Sequence, residues 1–193
     1  AAAALDQLQD LVKDFPFQSE ADEAAALSTI LTPLARPSLP TAPLHGVSAT
    51  AAGTGKGLLI DVASILATGR PAAVTSQARD DDETEKRLQT ALLAGDAVVS
   101  IDNCEAPLSG DFLCSALTQP LVSVRVLGKS KQVKIPVAST LMATGNNLSM
   151  RGDMTRRAIL CRMDPGVERP DRRQFDRDLR DYALRHRAEL VRA

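Results

Sequence analysis

Gly53-Thr54-Gly55-Lys56 constrains the fold of this chain more than any other stretch. It follows a short apolar run at 44–47 and precedes a longer one at 58–66. The order is therefore strand, glycine-rich loop, helix, with a lysine at the helix start. The backbone N–H groups of such a loop converge on one point, and the helix N-terminus adds its positive dipole end. A lysine there bridges the outer oxygens of a polyphosphate. Against the pattern G-x-x-x-x-G-K-[ST], Gly55-Lys56 fix the register, so Thr50 takes the first glycine position and Gly57 the hydroxyl position. Ala51, Ala52 and Gly53 keep the loop small. The hydroxyl that ligates Mg2+ in the full pattern is missing, which leaves Thr54 or a water to replace it, or weak metal binding. Two rivals stand beside the phosphate loop. One is an ordinary strand-to-helix turn; the other is a dinucleotide fingerprint, whose third glycine position is occupied by Leu58.

The 193 residues suffice for one sizeable core, filled mostly by Leu, Ile, Val and Ala because there is no Trp and one Tyr. No apolar run approaches a membrane span and no signal peptide is visible. Cys104, Cys114 and Cys161 are odd in number and lack metal spacing, so they read as reduced, buried cysteines of a cytoplasmic protein. With His45 and His186 as its two histidines, the chain is a poor zinc binder. Four alanines at the start, no Met before them and a charged helical pattern at the end are expected of an excised piece. The formal net charge of −1 hides an asymmetry. Residues 1–120 carry 7 Lys and Arg against 16 Asp and Glu, whereas residues 121–193 carry 16 against 8. Head-to-tail self-association and polyanion binding both follow from that imbalance, as does the plainer picture of solvated helix faces.

Periodicity predicts a helix over 4–15 and a second from a Ser19-x-x-Asp22 cap to about Arg36. Pro37, Pro40 and Pro43 connect it to the first strand. The helix after the loop closes at Gly69, and 72–76 is a second strand. A helix over 83–94, capped by Asp82-x-x-Glu85, stops at Gly95. Buried strands follow at 97–102, 139–144 and 158–163, with a short helix within 107–118. Two alternating runs, 122–127 and 132–137, form a hairpin around Gly128-Lys129-Ser130-Lys131. Pro170 opens a long amphipathic helix carrying Phe175, Leu179, Tyr182 and Leu190. Strands alternating with helices predict an α/β fold with a mostly parallel sheet. Three segments result: a helical 1–40, a core at 41–168, and the start of a C-terminal lid or linker at 169–193.

A loop that binds nucleotide, Ala52 to Leu58 with Gly53, Thr54, Gly55, Lys56 and Gly57 between, needs partners to hydrolyse it. The strand at 97–102 delivers Asp102 as the metal-holding carboxylate. Asn103 follows where a second acid is usual, so Glu105 is the candidate base, with Asn103 orienting water as the alternative. Asn146 ends the strand at 139–144, placed to hold the attacking water or sense the outer phosphate. Arg156 and Arg157 precede the last strand and are candidates to stabilise transition-state charge; a salt bridge to Asp153 is the plainer role for either.

As a constellation these motifs resemble the core of AAA+ ATPases, most of all superfamily 3 helicases and the helicase-like ATPases attached to primases of phages and mobile elements. The likeness rests on Ala143-Thr144-Gly145-Asn146-Asn147-Leu148, on Arg151-Gly152-Asp153-Met154-Thr155-Arg156-Arg157, and on Ile101-Asp102-Asn103 preceded by Glu85-Lys86-Arg87-Leu88 and Ala94-Gly95-Asp96. It runs from about Phe15 to Phe175. The resemblance implies a P-loop fold with an inserted hairpin, and ATP and Mg2+ as cofactors. It implies a homo-oligomeric ring, often a hexamer, in which Arg156 or Arg157 reaches the neighbour's nucleotide. Single-stranded DNA is the implied partner, gripped by the hairpin through Lys129, Lys131 and Lys134, and a primase domain is a further one. Lysine–phosphate contact is salt-sensitive and blind to sequence; lysines that merely keep an exposed hairpin from pairing are the plainer reading. A nucleotide-dependent DNA-binding assembly module with little hydrolysis is the rival function, and a dinucleotide-binding enzyme a third.

Overall fold

Apolar runs and amphipathic segments alternate along the chain and assemble into a five-stranded parallel sheet with helices on both faces. The computed structural model describes residues 2–125, 132–167, 170 and 175–192. The sheet strands are β1 (Leu44–Ala49), β2 (Ala73–Ser76), β3 (Val98–Asp102), β6 (Thr140–Asn146) and β7 (Ala158–Met163), in the spatial order β2-β3-β6-β1-β7. All six residues of β1 are buried, as a central strand covered on both faces requires. Between β3 and β6 the chain makes an antiparallel pair, β4 (Leu121–Arg125) with β5 (Gln132–Pro136).

One face carries α1 (Ala2–Val12), α2 (Glu20–Ala35), α3 (Lys56–Thr68), α6 (Leu179–Arg185) and α7 (Arg187–Arg192). The other carries α4 (Asp81–Ala94), α5 (Asp111–Thr118) and the inner side of the β4–β5 pair, through Val122, Val124, Val133 and Ile135. Handedness explains the division. The α3 crossover leads from β1 outward to the edge strand β2; the return through β3 and β6 runs the opposite way along the sheet, so a right-handed path must use the other face.

The edge at β7 is closed by the N-terminal segment. Phe17 pairs antiparallel with Met163, Gln18 N–H donates to Arg162 O at 3.1 Å, and Asp164 N–H donates to Pro16 O at 2.8 Å. Asp22, only 5 % exposed, accepts the Arg162 N–H at 2.8 Å and so finishes the ladder where no strand follows.

Three expectations need correction. The cap of α4 is Asp80, whose carboxylate accepts the Glu83 N–H at 2.6 Å, not Asp82, which sits inside the first turn beside Asp81 and Glu83 and complements the helix dipole. The long C-terminal helix is two short ones. Asp178 caps α6, the backbone leaves helical geometry at His186, and Phe175 precedes both helices. Finally, Cys104 and Cys161 are buried, but Cys114 is only half-buried. Burial pushes both buried thiols up to about 12, so neither is a nucleophile at neutral pH.

Candidate functional site

Glycine geometry shapes the loop between β1 and α3. Gly53 and Gly55 have φ of 75° and 100°, a region closed to most side chains. A Cβ on Gly55 would also lie 3.1 Å from the Phe15 ring and 3.2 Å from that of Phe175. The two rings meet edge to face with centroids 5.1 Å apart, so the N-terminal segment and the approach to α6 converge on this one glycine. Gly57 is different: a Cβ there meets nothing within 4 Å, so the missing hydroxyl is not imposed by lack of room.

Lys56 opens α3 and its ammonium donates to Asn146 Oδ1 at 2.8 Å and to Ala51 O at 3.0 Å. Thr54 Oγ1 donates to the same carbonyl at 2.8 Å. Burial lowers the Lys56 pKa, and the negative charge of Asp102 opposes that shift. The sheet explains the meeting. Ala49, the last residue of β1, pairs with Asn146, and β3 lies on the far side of β6. The chain leaves β1 toward the α3 face and leaves β6 toward the other, where Leu148 and Met154 are buried. Where neighbouring strands part in this way, a crevice opens at their carboxyl ends, and ligands of open α/β sheets bind in such a crevice.

Asp102, the exposed last residue of β3, receives a short hydrogen bond from Thr144 Oγ1 on Oδ1. The same hydroxyl accepts the Asn103 N–H at 3.1 Å, and Thr144 O accepts the Cys104 N–H at 2.7 Å. Asn103 has φ of 54°, which turns its N–H back toward β6. Glu105 is exposed, and its backbone rather than its carboxylate is anchored: Gln77 Oε1 accepts the N–H of Glu105 and of Ala106, each at 3.0 Å. Among the described residues no three His, Cys, Asp or Glu cluster into a protein-only metal cage. One carboxylate beside a glycine-rich loop is nevertheless a set that could hold Mg2+, which takes one or two carboxylates and leaves its other positions to phosphate and water.

Arg156 and Arg157 sit elsewhere. Arg156 ends a 3-10 turn (Gly152–Arg156) and Arg157 caps it on the way into β7, whose first residue, Ala158, pairs with Leu44, the first of β1. The loop follows the opposite end of β1, about 17 Å away at the usual rise per residue. Neither arginine therefore serves the loop of its own chain. Both bond Asp153 and hold its carboxyl down to about 2. The Arg156 side chain is 73 % exposed, against 21 % for Arg157.

Lys134 is exposed in the middle of β5, opposite Ser123, and Arg125 is exposed at the end of β4. Lys129 and Lys131 lie outside the described residues. A cavity of about 370 Å³ between α4 and α5 is lined by Asp81, Asp82, Glu85, Asp111 and Arg151. Its four carboxylates repel phosphate and no loop residue reaches it.

Periodicity and motif spacing missed Thr144, Gln77 and the Phe15–Phe175 contact. Thr144 stands two residues before Asn146, so strand alternation puts both on one side, and that was the available signal. Gln77 is the first polar residue past β2, but nothing local marks its partner 28 residues on.

Two solved structures of the NrS-1 C-terminal region, both described as its A form apo structure, share this fold. The first superposes with a TM-score of 0.65 at 16 % identity, covering 95 % of this chain and 43 % of that one. The second gives 0.59 at 14 %, covering 95 % and 42 %. The chain thus spans less than half the length of these structures. No family model matches the chain, and no curated protein does. Among the described residues no helix is long and apolar enough to cross a membrane.

Proposed function

We propose that this chain is the P-loop ATPase core, of AAA+ type, of a DNA-translocating or unwinding machine in phage or mobile-element replication. The observation that carries it is the convergence of Lys56, Asn146 and Asp102, from three different elements, on the crevice at the carboxyl ends of β1, β6 and β3. The fold shared with the NrS-1 C-terminal region supports the same setting.

In this function the N–H groups of residues 52–58 cradle the phosphates of ATP at the N-terminus of α3. Lys56 leaves Ala51 O and moves its ammonium onto the outer phosphates. Asn146, released from Lys56, is left beside them to hold water. Asp102 would hold Mg2+, which supplies charge neutralisation to the phosphates when bound. Arg156, the more exposed of the pair, completes the site of an adjoining subunit in a ring, and the β4–β5 pair carries Lys134 toward single-stranded DNA. A primase domain or protein is the expected neighbour.

Lys56→Ala tests the site: ATP turnover should fall to background in a variant that still folds. Near-normal turnover would remove the loop from the chemistry. A second function, a nucleotide-dependent assembly module that binds ATP and DNA with little hydrolysis, is favoured by Gly57 and by the unanchored Glu105 carboxylate. ATPase rates with and without single-stranded DNA separate the two, since only a motor is stimulated.

A further inference from the structure

We infer that Thr144 is a positioning residue for the metal-holding carboxylate: its buried hydroxyl fixes the orientation of Asp102, supporting from β6 a site that lacks the loop hydroxyl at position 57. The inference rests on the nucleotide-binding function proposed above.

Thr144 is 2 % exposed, and its hydroxyl both accepts and donates a hydrogen bond. It accepts the Asn103 N–H at 3.1 Å, so its own proton points to Asp102 Oδ1. Register makes this contact obligatory. Ile101 pairs with Ala143, so the next residues, Asp102 and Thr144, emerge side by side at the crevice. Asn103, held at φ of 54°, closes the arrangement from the other side. The carboxylate is thereby tied through one oxygen and keeps the other for a ligand. An exposed Asp at a strand end otherwise rotates freely, and a metal that draws most of its ligands from phosphate and water gains from a carboxylate already aimed. Oxygen ligands held by such hydrogen bonds commonly lose tenfold or more in metal affinity when the supporting group is removed.

The test uses Mn2+ as a spin probe, titrated by electron paramagnetic resonance into the protein with a non-hydrolysable ATP analogue. Metal-free affinity for a fluorescent ATP analogue is measured in chelator. Thr144→Val should weaken Mn2+ binding about tenfold and leave metal-free nucleotide affinity unchanged. Thr144→Ser should match the parent protein in both. A Val variant with parental Mn2+ affinity overturns the inference, and so does a Ser variant as weak as Val, because volume rather than the hydroxyl would then matter. If melting curves show Val unfolded, Thr144→Ala carries the same comparison. Parent protein that binds no nucleotide overturns the ATPase function and this inference together; parent protein that binds nucleotide while Val remains unaffected overturns this inference alone.

Discussion

Gly55 and Gly57 are two residues apart in the loop, yet the fold asks different things of them. Gly55 needs its positive φ of 100° and has two phenyl rings against the space a Cβ would take. Gly57 lies in the first turn of α3 with open space around it. Forcing a non-glycine residue into the left-handed region costs about 1–2 kcal/mol, and the rings of Phe15 and Phe175 must also give. Gly55→Ala should therefore lower the melting temperature by several degrees and abolish nucleotide binding, because the loop opens as the rings move. Gly57→Ala should be neutral or slightly stabilising, since Ala is favoured over Gly in a helix by up to about 1 kcal/mol. Paired melting curves with ATP titrations check both. Equal losses at the two positions would mean that the loop tolerates no side chain for a reason other than this geometry. The motif pattern marks both glycines alike. The difference comes from Phe15 and Phe175, distant in the chain, which is why it was hidden in the sequence.

Elements were legible where a local signal bounds them. Gly69 and Gly95 close α3 and α4 in left-handed conformations, as expected of residues that end helices. Lys56 could be picked from its place after Gly53-Thr54-Gly55, and Asp102 and Asn146 because each is a polar residue closing an apolar strand. The break at His186 could not, because the apolar periodicity of Leu179, Tyr182 and Leu190 continues through it. Contacts between elements were also invisible, and the one between β1 and α2 has a measurable consequence. His45 of β1 is fully buried beneath α2. Thr29 Oγ1 donates to Ala25 O, so it accepts from His45 Nδ1 at 3.3 Å; Nε2 then accepts from Thr32 Oγ1 at 2.9 Å. Desolvation lowers the pKa of the ring to about 4, so at neutral pH it is uncharged, with its proton on Nδ1. Unfolded, the same ring titrates near 6.5. Above that pH both states are neutral and the contact contributes fully. Between 6.5 and 4 the unfolded chain takes up a proton that the folded chain refuses, so stability falls as pH falls, by about 3 kcal/mol in all. Urea unfolding at pH 7 and pH 4.5 should show most of that loss in the parent protein. A His45→Gln variant should be flatter over the same interval, whereas equal slopes would place the titration elsewhere.

At the scale of the whole molecule, the function proposed above divides one chemistry between the two ends of the sheet. The crevice end has the loop, Asn146 and Asp102; the other has Arg156, exposed and remote from the loop of its own chain. Under that proposal a monomer would be an incomplete site, and a ring in which one subunit's arginine end faces the next subunit's crevice would be the closed arrangement that completes every copy. That geometry separates two kinds of inactive subunit. Lys56→Ala destroys its own crevice but keeps a working arginine for its neighbour. Arg156→Ala keeps its crevice but offers the neighbour nothing. Each variant alone should hydrolyse ATP at background rate. Assembled together in equal amounts, about a quarter of the interfaces pair an intact crevice with an intact arginine, and turnover should return to a comparable fraction of the parental rate. Recovery requires mixed assembly, so the two chains are co-expressed and the mixture is compared with separately prepared proteins combined only in the assay. Arg157→Ala is the built-in contrast, because its side chain is largely covered. Turnover that stays at background in the co-expressed mixture, with both chains present in one oligomer, would leave Arg156 as no more than the partner of Asp153.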